Sequence, residues 1–213
     1  MPFKINVLTP KAGWMFKSLS LFVNQLQKDF DVVLLEDHRQ LAQADVTFIL
    51  SYQKIISRQY LSLSHHNIVV HASALPQGRG WSPIVWQILA GENVIPVSLF
   101  EAEESLDSGA IYLQKQLFLD GTELLPEIRA KLEALIISMC QTFLKQYLAG
   151  DLHPKVQQGK ESYYRKRTPE DSELNIDISL REQFNLLRTV DNEAYPAYFY
   201  FAGRQYIVKI EEK

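Results

Sequence analysis

The sequence predicts an α/β fold: a mostly parallel sheet flanked by helices, with a small C-terminal appendage of one helix and a β-hairpin. Three observations carry this. Short β-branched apolar runs alternate with amphipathic stretches through the first half of the 213 residues, the pattern of strands joined by crossover helices. One long segment of helical period follows. After Gly150 the pattern changes to polar, mixed-charge chain that ends in an aromatic-rich hairpin.

The elements follow in order. Residues 5–8 read as the opening strand, and Phe16, Leu19, Phe22, Val23 and Leu26 recur at helical spacing behind it. Residues 32–35, 46–50 and 68–71 are further β-branched runs, with a short helix expected over 55–61. Pro83 suits the first position of a helix over 83–89, where its missing N–H is not needed, and Gly91 closes that helix. Residues 97–100 and 111–118 read as strands around a polar connection, 101–110, long enough to be functional. Thr122 is the expected N-cap of the clearest helix, whose apolar face is Leu125, Ile128, Leu132, Leu135, Met139, Phe143 and Tyr147. Cys140 lies in it and reads as a buried, inert thiol. Beyond residue 150, Leu180, Phe184 and Leu187 predict a short amphipathic helix, and 195–201 with 205–210 flank Gly203 as a hairpin. The division expected is a Rossmann-like domain over 1–150 and an appendage over 151–213, too small to fold alone.

Composition narrows the function. With 46% hydrophobic residues the chain is an ordinary globular one, and no run reaches the roughly 20 apolar residues of a membrane span. A single cysteine builds neither an intramolecular disulfide nor a thiolate metal site, so a cytoplasmic protein without metal is expected. The net charge of −3 provides no global positive field for nucleic acid.

The most informative stretch is 70–83, V-H-A-S-A-L-P-Q-G-R-G-W-S-P, which runs from a strand end through a Pro/Gly loop into a helix start. The carboxyl end of a parallel strand is where α/β proteins place ligands. Taken alone, His71 reads as a histidine capping the sheet and Asp107 as a loop carboxylate before Gly109. Together with R-G-x-x-P at 79–83, W at 86, V-S-L at 97–99 and L-D-S-G-A-I at 106–111, they form an ordered set in which His71 and Asp107 stand 36 positions apart. That set resembles the formyltransferases that use 10-formyltetrahydrofolate, in which a catalytic His and Asp are similarly spaced.

The resemblance implies that His71 and Asp107 are catalytic: the histidine donates to the developing oxyanion, and the aspartate holds that histidine or relays the amine proton. It implies a folate pocket at Tyr52, Lys54, Ile55, Ile56 and Leu106, and substrate contacts at Ser73, Arg79 and Gly80, Arg79 reaching an anionic substrate or supporting its loop. One position departs. The family's Asn two residues before the His is Val69 here, which offers no polar atom, and Asn67, on the same strand face, lies about 13 Å from His71. The ending, R-K-R-T-P-E-D at 165–171 and then the hairpin, is similar to that of bacterial nucleotide-sugar N-formyltransferases, implying a UDP- or dTDP-linked amino-dideoxy sugar acceptor for glycan synthesis and a homodimer through the hairpin. Glycinamide ribonucleotide formyltransferase is the alternative within the family, and a non-catalytic folate- or nucleotide-binding relative is the alternative outside it.

Overall fold

In the computed structural model, which describes residues 2–213, the parallel grammar of the first half becomes one six-stranded sheet. Its elements are β1 (Lys4–Leu8), α1 (Phe16–Leu26), β2 (Asp31–Leu35), β3 (Ala44–Ile49), α2 (Arg58–Leu61), β4 (Ser64–His71), β5 (Arg79–Gly80), α3 (Pro83–Leu89), β6 (Val94–Glu101), β7 (Ile111–Phe118) and α4 (Leu125–Leu148). The sheet order is β2-β1-β3-β4-β6-β7. β1 pairs in parallel with β2 and β3, and β3 with β4; β6 runs antiparallel to both β4 and β7. β6 alone therefore opposes the other five.

The pleat sends alternate side chains to two cores. Ile5, Val7, Phe48 and Ile68 meet α1 and α4 in the larger cluster, which also buries Met139, Cys140 and Phe143. Leu8, Leu35, Ile49 and Ile56 form the smaller cluster on the opposite face, with Val69 packed against it. The smaller face is covered by α2, through Tyr60 and Leu61, and by irregular chain. Cys140 is wholly buried, and burial pushes its thiol up, as an inert thiol requires.

Three boundaries differ from the sequence reading. The helix expected over 55–61 forms only at Arg58–Leu61, leaving Ile55 exposed at the pocket. Thr122 does not cap α4; its N–H and hydroxyl both donate to Asp120, and Leu124 is the N-cap, with its N–H donating to Glu127. Leu180 is exposed outside the single turn α5 (Phe184–Leu187), because Gln183 accepts from the Asn175 N–H and holds that stretch in turns.

The remaining elements are β8 (Tyr163–Tyr164), β9 (Ala197–Phe201) and β10 (Arg204–Val208). Ala202 and Gly203, both at positive φ, form the two-residue turn of the β9–β10 hairpin. The tail is fastened to the sheet by charge as well as by Leu174, Leu187, Val190 and Ala197. Arg188 is fully buried; it donates to Asn93 and Asn185 and lies 3.6 Å from Glu123. Burial would raise the Glu123 carboxyl, but Lys131 and the Asp120 and Gly121 N–H groups outweigh it and hold it at about 2. Among the described residues no helix is long and apolar enough to cross a membrane.

Removing one partner of such a buried pair costs about 3–5 kcal/mol, so Arg188→Ala is expected to lower the urea unfolding free energy by that amount. Glu123 adds an acid limb. Its carboxyl is depressed from 4.5 to about 2, so its contribution is full above pH 4.5 and is lost as pH falls through 2. Glu123→Gln should flatten that decline in an unfolding series across this range.

Candidate active site

β4 delivers Val69 and His71 to one face of the sheet, and the loop after it, 72–82, turns back over His71. The His71 Nε2 sits 2.8 Å from the Gly78 carbonyl, which only accepts, so Nε2 carries the proton. Asp107 reaches the same atom from the β6–β7 connection, its Oδ2 3.8 Å from His71 Nε2. Both side chains are only 11% exposed. The same Oδ2 accepts the Gly80 N–H at 2.9 Å, which ties the connection to the 72–82 loop.

Backbone constraints explain why these loops meet. Asp107 sits at φ +50°, a left-handed conformation unusual for a residue other than glycine and one that needs surrounding support. Gly109 lies so close to the Glu101 carbonyl that a Cβ would overlap it, and Gly80 is packed as closely against the Tyr164 carbonyl. β5 pairs with β8, Arg79 opposite Tyr163 and Gly80 opposite Tyr164, and the Ser162 hydroxyl accepts the Gly78 N–H. The tail therefore buttresses the 72–82 loop.

Beside the His71 and Asp107 pair lies a pocket between the smaller core and the β6–β7 connection. Tyr52, Lys54, Ile55, Ile56 and Leu106 all line it, with Val69, Phe100 and Asp107. Ile55 is 78% exposed and Leu106 49%, so two large apolar side chains stand open at its rim. Lys54 and Arg39 both donate to Asp37 and hold that carboxyl well below the usual carboxylate range. Tyr52 is anchored by the His38 N–H and ring. The pocket thus combines apolar side chains with the carboxylates of Glu103, Glu104 and Asp107. Val69 forms part of the apolar wall.

The other expected residues divide. Gly80 joins the site through its N–H. Arg79 is turned inward: it donates to Glu161, Tyr163 and Gln157, and its side chain is 12% exposed. Ser73 is buried, and its hydroxyl has no hydrogen-bond partner among the described residues. Asn67 is also buried, donating to the Leu61 carbonyl, well away from His71. Gln157 and Ser162 were missed by sequence reasoning, since they lie in polar chain with no period and no motif. Among the described residues no group of three or more His, Cys, Asp or Glu is placed to hold a metal ion.

Known proteins with the same pattern can now be set beside this geometry. The formyl transferase family model, Formyl_trans_N, matches residues 23–135, more than half of the chain. The methionyl-tRNA formyltransferase of Thermodesulfovibrio yellowstonii is 29% identical over 145 residues, 68% of this chain and 47% of that protein. The chain thus spans about half the length of this curated relative. Two solved structures share the fold. One is a likely sugar N-formyltransferase from Mycobacterium tuberculosis, with TM-score 0.76, 17% identity and full coverage of both chains. The other is HypX from Aquifex aeolicus in complex with tetrahydrofolic acid, with TM-score 0.82 and 15% identity over 99% of this chain and 38% of that one. The matched segment contains the His71 strand, the R-G-x-x-P loop and the Asp107 connection, and on that ground the chain belongs to the formyl transferase family.

Proposed function

We propose that this chain transfers a formyl group from 10-formyltetrahydrofolate to the amine of a nucleotide-linked amino-dideoxy sugar. The observation that carries the reading is the pairing of His71 with Asp107, which itself lines the pocket together with Tyr52, Ile55, Ile56 and Leu106. Bound 10-formyltetrahydrofolate supplies the formyl group. The chain's own task is charge and proton management. The His71 Nε2–H, now given to the Gly78 carbonyl, lies 3.8 Å from Asp107 and turns to the formyl oxygen as negative charge develops there. Asp107 keeps Oδ2 on the Gly80 N–H, so its position is fixed while Oδ1 takes the proton of the attacking amine through water and returns it to the folate nitrogen as the formyl–nitrogen bond breaks. The two carboxylate oxygens thus divide positioning from proton transfer.

The acceptor is inferred from the whole-chain match to a likely sugar N-formyltransferase, from the R-K-R-T-P-E-D ending and from the net charge of −3, which suits a small substrate better than RNA. A second reading has its own support: the curated relative acts on methionyl-tRNA by name. Incubation with 10-formyltetrahydrofolate and UDP- and dTDP-linked 3- and 4-amino-dideoxyhexoses, glycinamide ribonucleotide and initiator methionyl-tRNA separates them by mass. A formyl gain on a sugar is expected. Gain on glycinamide ribonucleotide or tRNA alone overturns the acceptor, and no gain on any substrate identifies a non-catalytic relative.

The reading includes a cytoplasmic location and a homodimer. The hairpin exposes Tyr200, Phe201, Tyr206 and Ile207, a cluster of large apolar side chains that a second copy would cover. Light scattering at micromolar concentration is expected to give twice the chain mass; a monomer contradicts the dimer.

His71→Ala and Asp107→Ala should each lower kcat/KM by roughly 10²-fold or more while the chain stays folded, Asp107→Ala with a melting temperature lower by a few degrees because the Gly80 N–H loses its acceptor. Near-normal turnover in either ends the catalytic assignment. Val69→Asn tests the departure from the family pattern. Because Val69 packs in the apolar wall beside Ile49 and Tyr52, an amide there loses about 1–3 kcal/mol of stability and lowers kcat. A tenfold gain in kcat with unchanged stability would show that the amide is only missing and the site was not rebuilt around an apolar wall.

A further inference from the structure

The residue that holds Asp107 in its strained conformation is neither on its own loop nor in any motif. Lys155 pairs with Ile111 in an isolated antiparallel bridge, their N–H groups each donating to the other's carbonyl at 2.8 Å. This bridge lays residues 155–157 along the end of the β6–β7 connection. Gln157 is thereby brought under the Asp107 turn. Its Nε2 donates to the Asp107 carbonyl at 2.8 Å and to the Gly109 carbonyl at 2.9 Å, using both amide hydrogens. Its Oε1 accepts from Arg79 Nη2 at 2.8 Å.

The chemistry of the three partners selects the side chain. Two carbonyls only accept and a guanidinium only donates, so the group between them needs two donors on one side and an acceptor on the other. A glutamine amide satisfies this in one orientation only. Glutamate would keep the Arg79 partner and set a second carboxylate oxygen against two carbonyl oxygens. Leucine would fill the space and make no hydrogen bond.

We propose that Gln157 is a positioning residue for Asp107: by clasping the carbonyls on either side of Ser108, it keeps the carboxylate on the Gly80 N–H and beside His71. The inference rests on Asp107 being the catalytic carboxylate. It adds that the tail contributes to turnover, through Gln157 and the Arg79 side chain that orients it. Gln157 touches no reacting atom. Its effect passes through Asp107 alone.

The Gly80 amide gives a direct readout, because its N–H donates to Asp107 Oδ2 and its hydrogen exchange reports whether the carboxylate is in place. Exchange is measured by NMR on the full chain as wild type, Asp107→Ala, Gln157→Glu and Gln157→Leu, beside melting temperatures and formyl transfer. Asp107→Ala calibrates the exchange expected when the acceptor is lost. Both Gln157 variants should speed Gly80 exchange about tenfold or more toward that value, with core amides such as Ile68 unchanged. Formyl transfer should fall roughly 10- to 100-fold, as small misplacements of a reacting group do. Adding Gln157→Glu to Asp107→Ala should slow the residual rate no further. Wild-type Gly80 exchange in both Gln157 variants, or a further loss in the double variant, overturns the proposal. If Asp107→Ala transfers formyl at the wild-type rate, the catalytic reading fails instead, and Gly80 exchange still decides whether the clasp exists.

Discussion

The Asp107 carboxylate on the Gly80 N–H is the contact on which the rest of the site depends. It joins two loops, the one that follows β4 and the one between β6 and β7. The sheet makes that meeting possible. β6 returns antiparallel to β4, with Glu101 beside Ile68, so the connection that follows must fold back along the face carrying Val69 before its aspartate meets His71. The fold-back has backbone consequences. Asp107 takes a left-handed conformation, and Gly109 leaves no room for a Cβ against the Glu101 carbonyl. Each of these states is tolerated only because neighbouring chain supplies hydrogen bonds in compensation.

Much of that compensation comes from the tail. β8 pairs with β5, Ser162 accepts the Gly78 N–H, and Trp86 donates through its indole N–H to the Arg165 carbonyl while stacking near Tyr164. Farther out, Arg188 and Glu123 fasten the chain after α5 to the loop that opens α4. The buried charges are costly to desolvate; Arg188 is offset by Asn93, Asn185 and the nearby Glu123, and Glu123 by Lys131 and the Asp120 and Gly121 N–H groups. That arrangement favours one docking of the tail over its neighbours, since a shifted tail would leave a buried guanidinium unpaired. Residues 151–213 are thus an appendage in sequence pattern and a buttress of the site's loops in space.

What the sequence made legible follows the physics of each signal. Periodicity exposed the strands and α4, because burial on one face imposes a period on the chain. The Ala202-Gly203 turn was readable from its glycine, and the meeting of His71 with Asp107 from an ordered motif. Contacts made by polar side chains at long range left no period to read. Gln157, Ser162 and Arg188 sit in stretches that look like solvated loop, and only the folded chain shows them facing backbone carbonyls, N–H groups or a buried carboxylate. Arg79 was read with two roles, and its partners Glu161, Tyr163 and Gln157 lie some eighty residues away, beyond the reach of any local pattern. Thr122 failed as a cap for a local reason: Asp120, two residues earlier, competes for its hydroxyl.

In the function proposed, Ile55, Ile56 and Leu106 cover a flat ring, and Asp107, with His71 beside it, stands at the reacting end. A crystal structure of the chain with 5-formyltetrahydrofolate, a stable isomer of the donor, tests this most directly. The account predicts the pterin between Ile56 and Leu106, and N10 within about 4 Å of both His71 Nε2 and an Asp107 oxygen, close enough for direct or water-bridged proton transfer. A folate bound elsewhere, or one seated in the pocket with N10 turned away from both side chains, would contradict it.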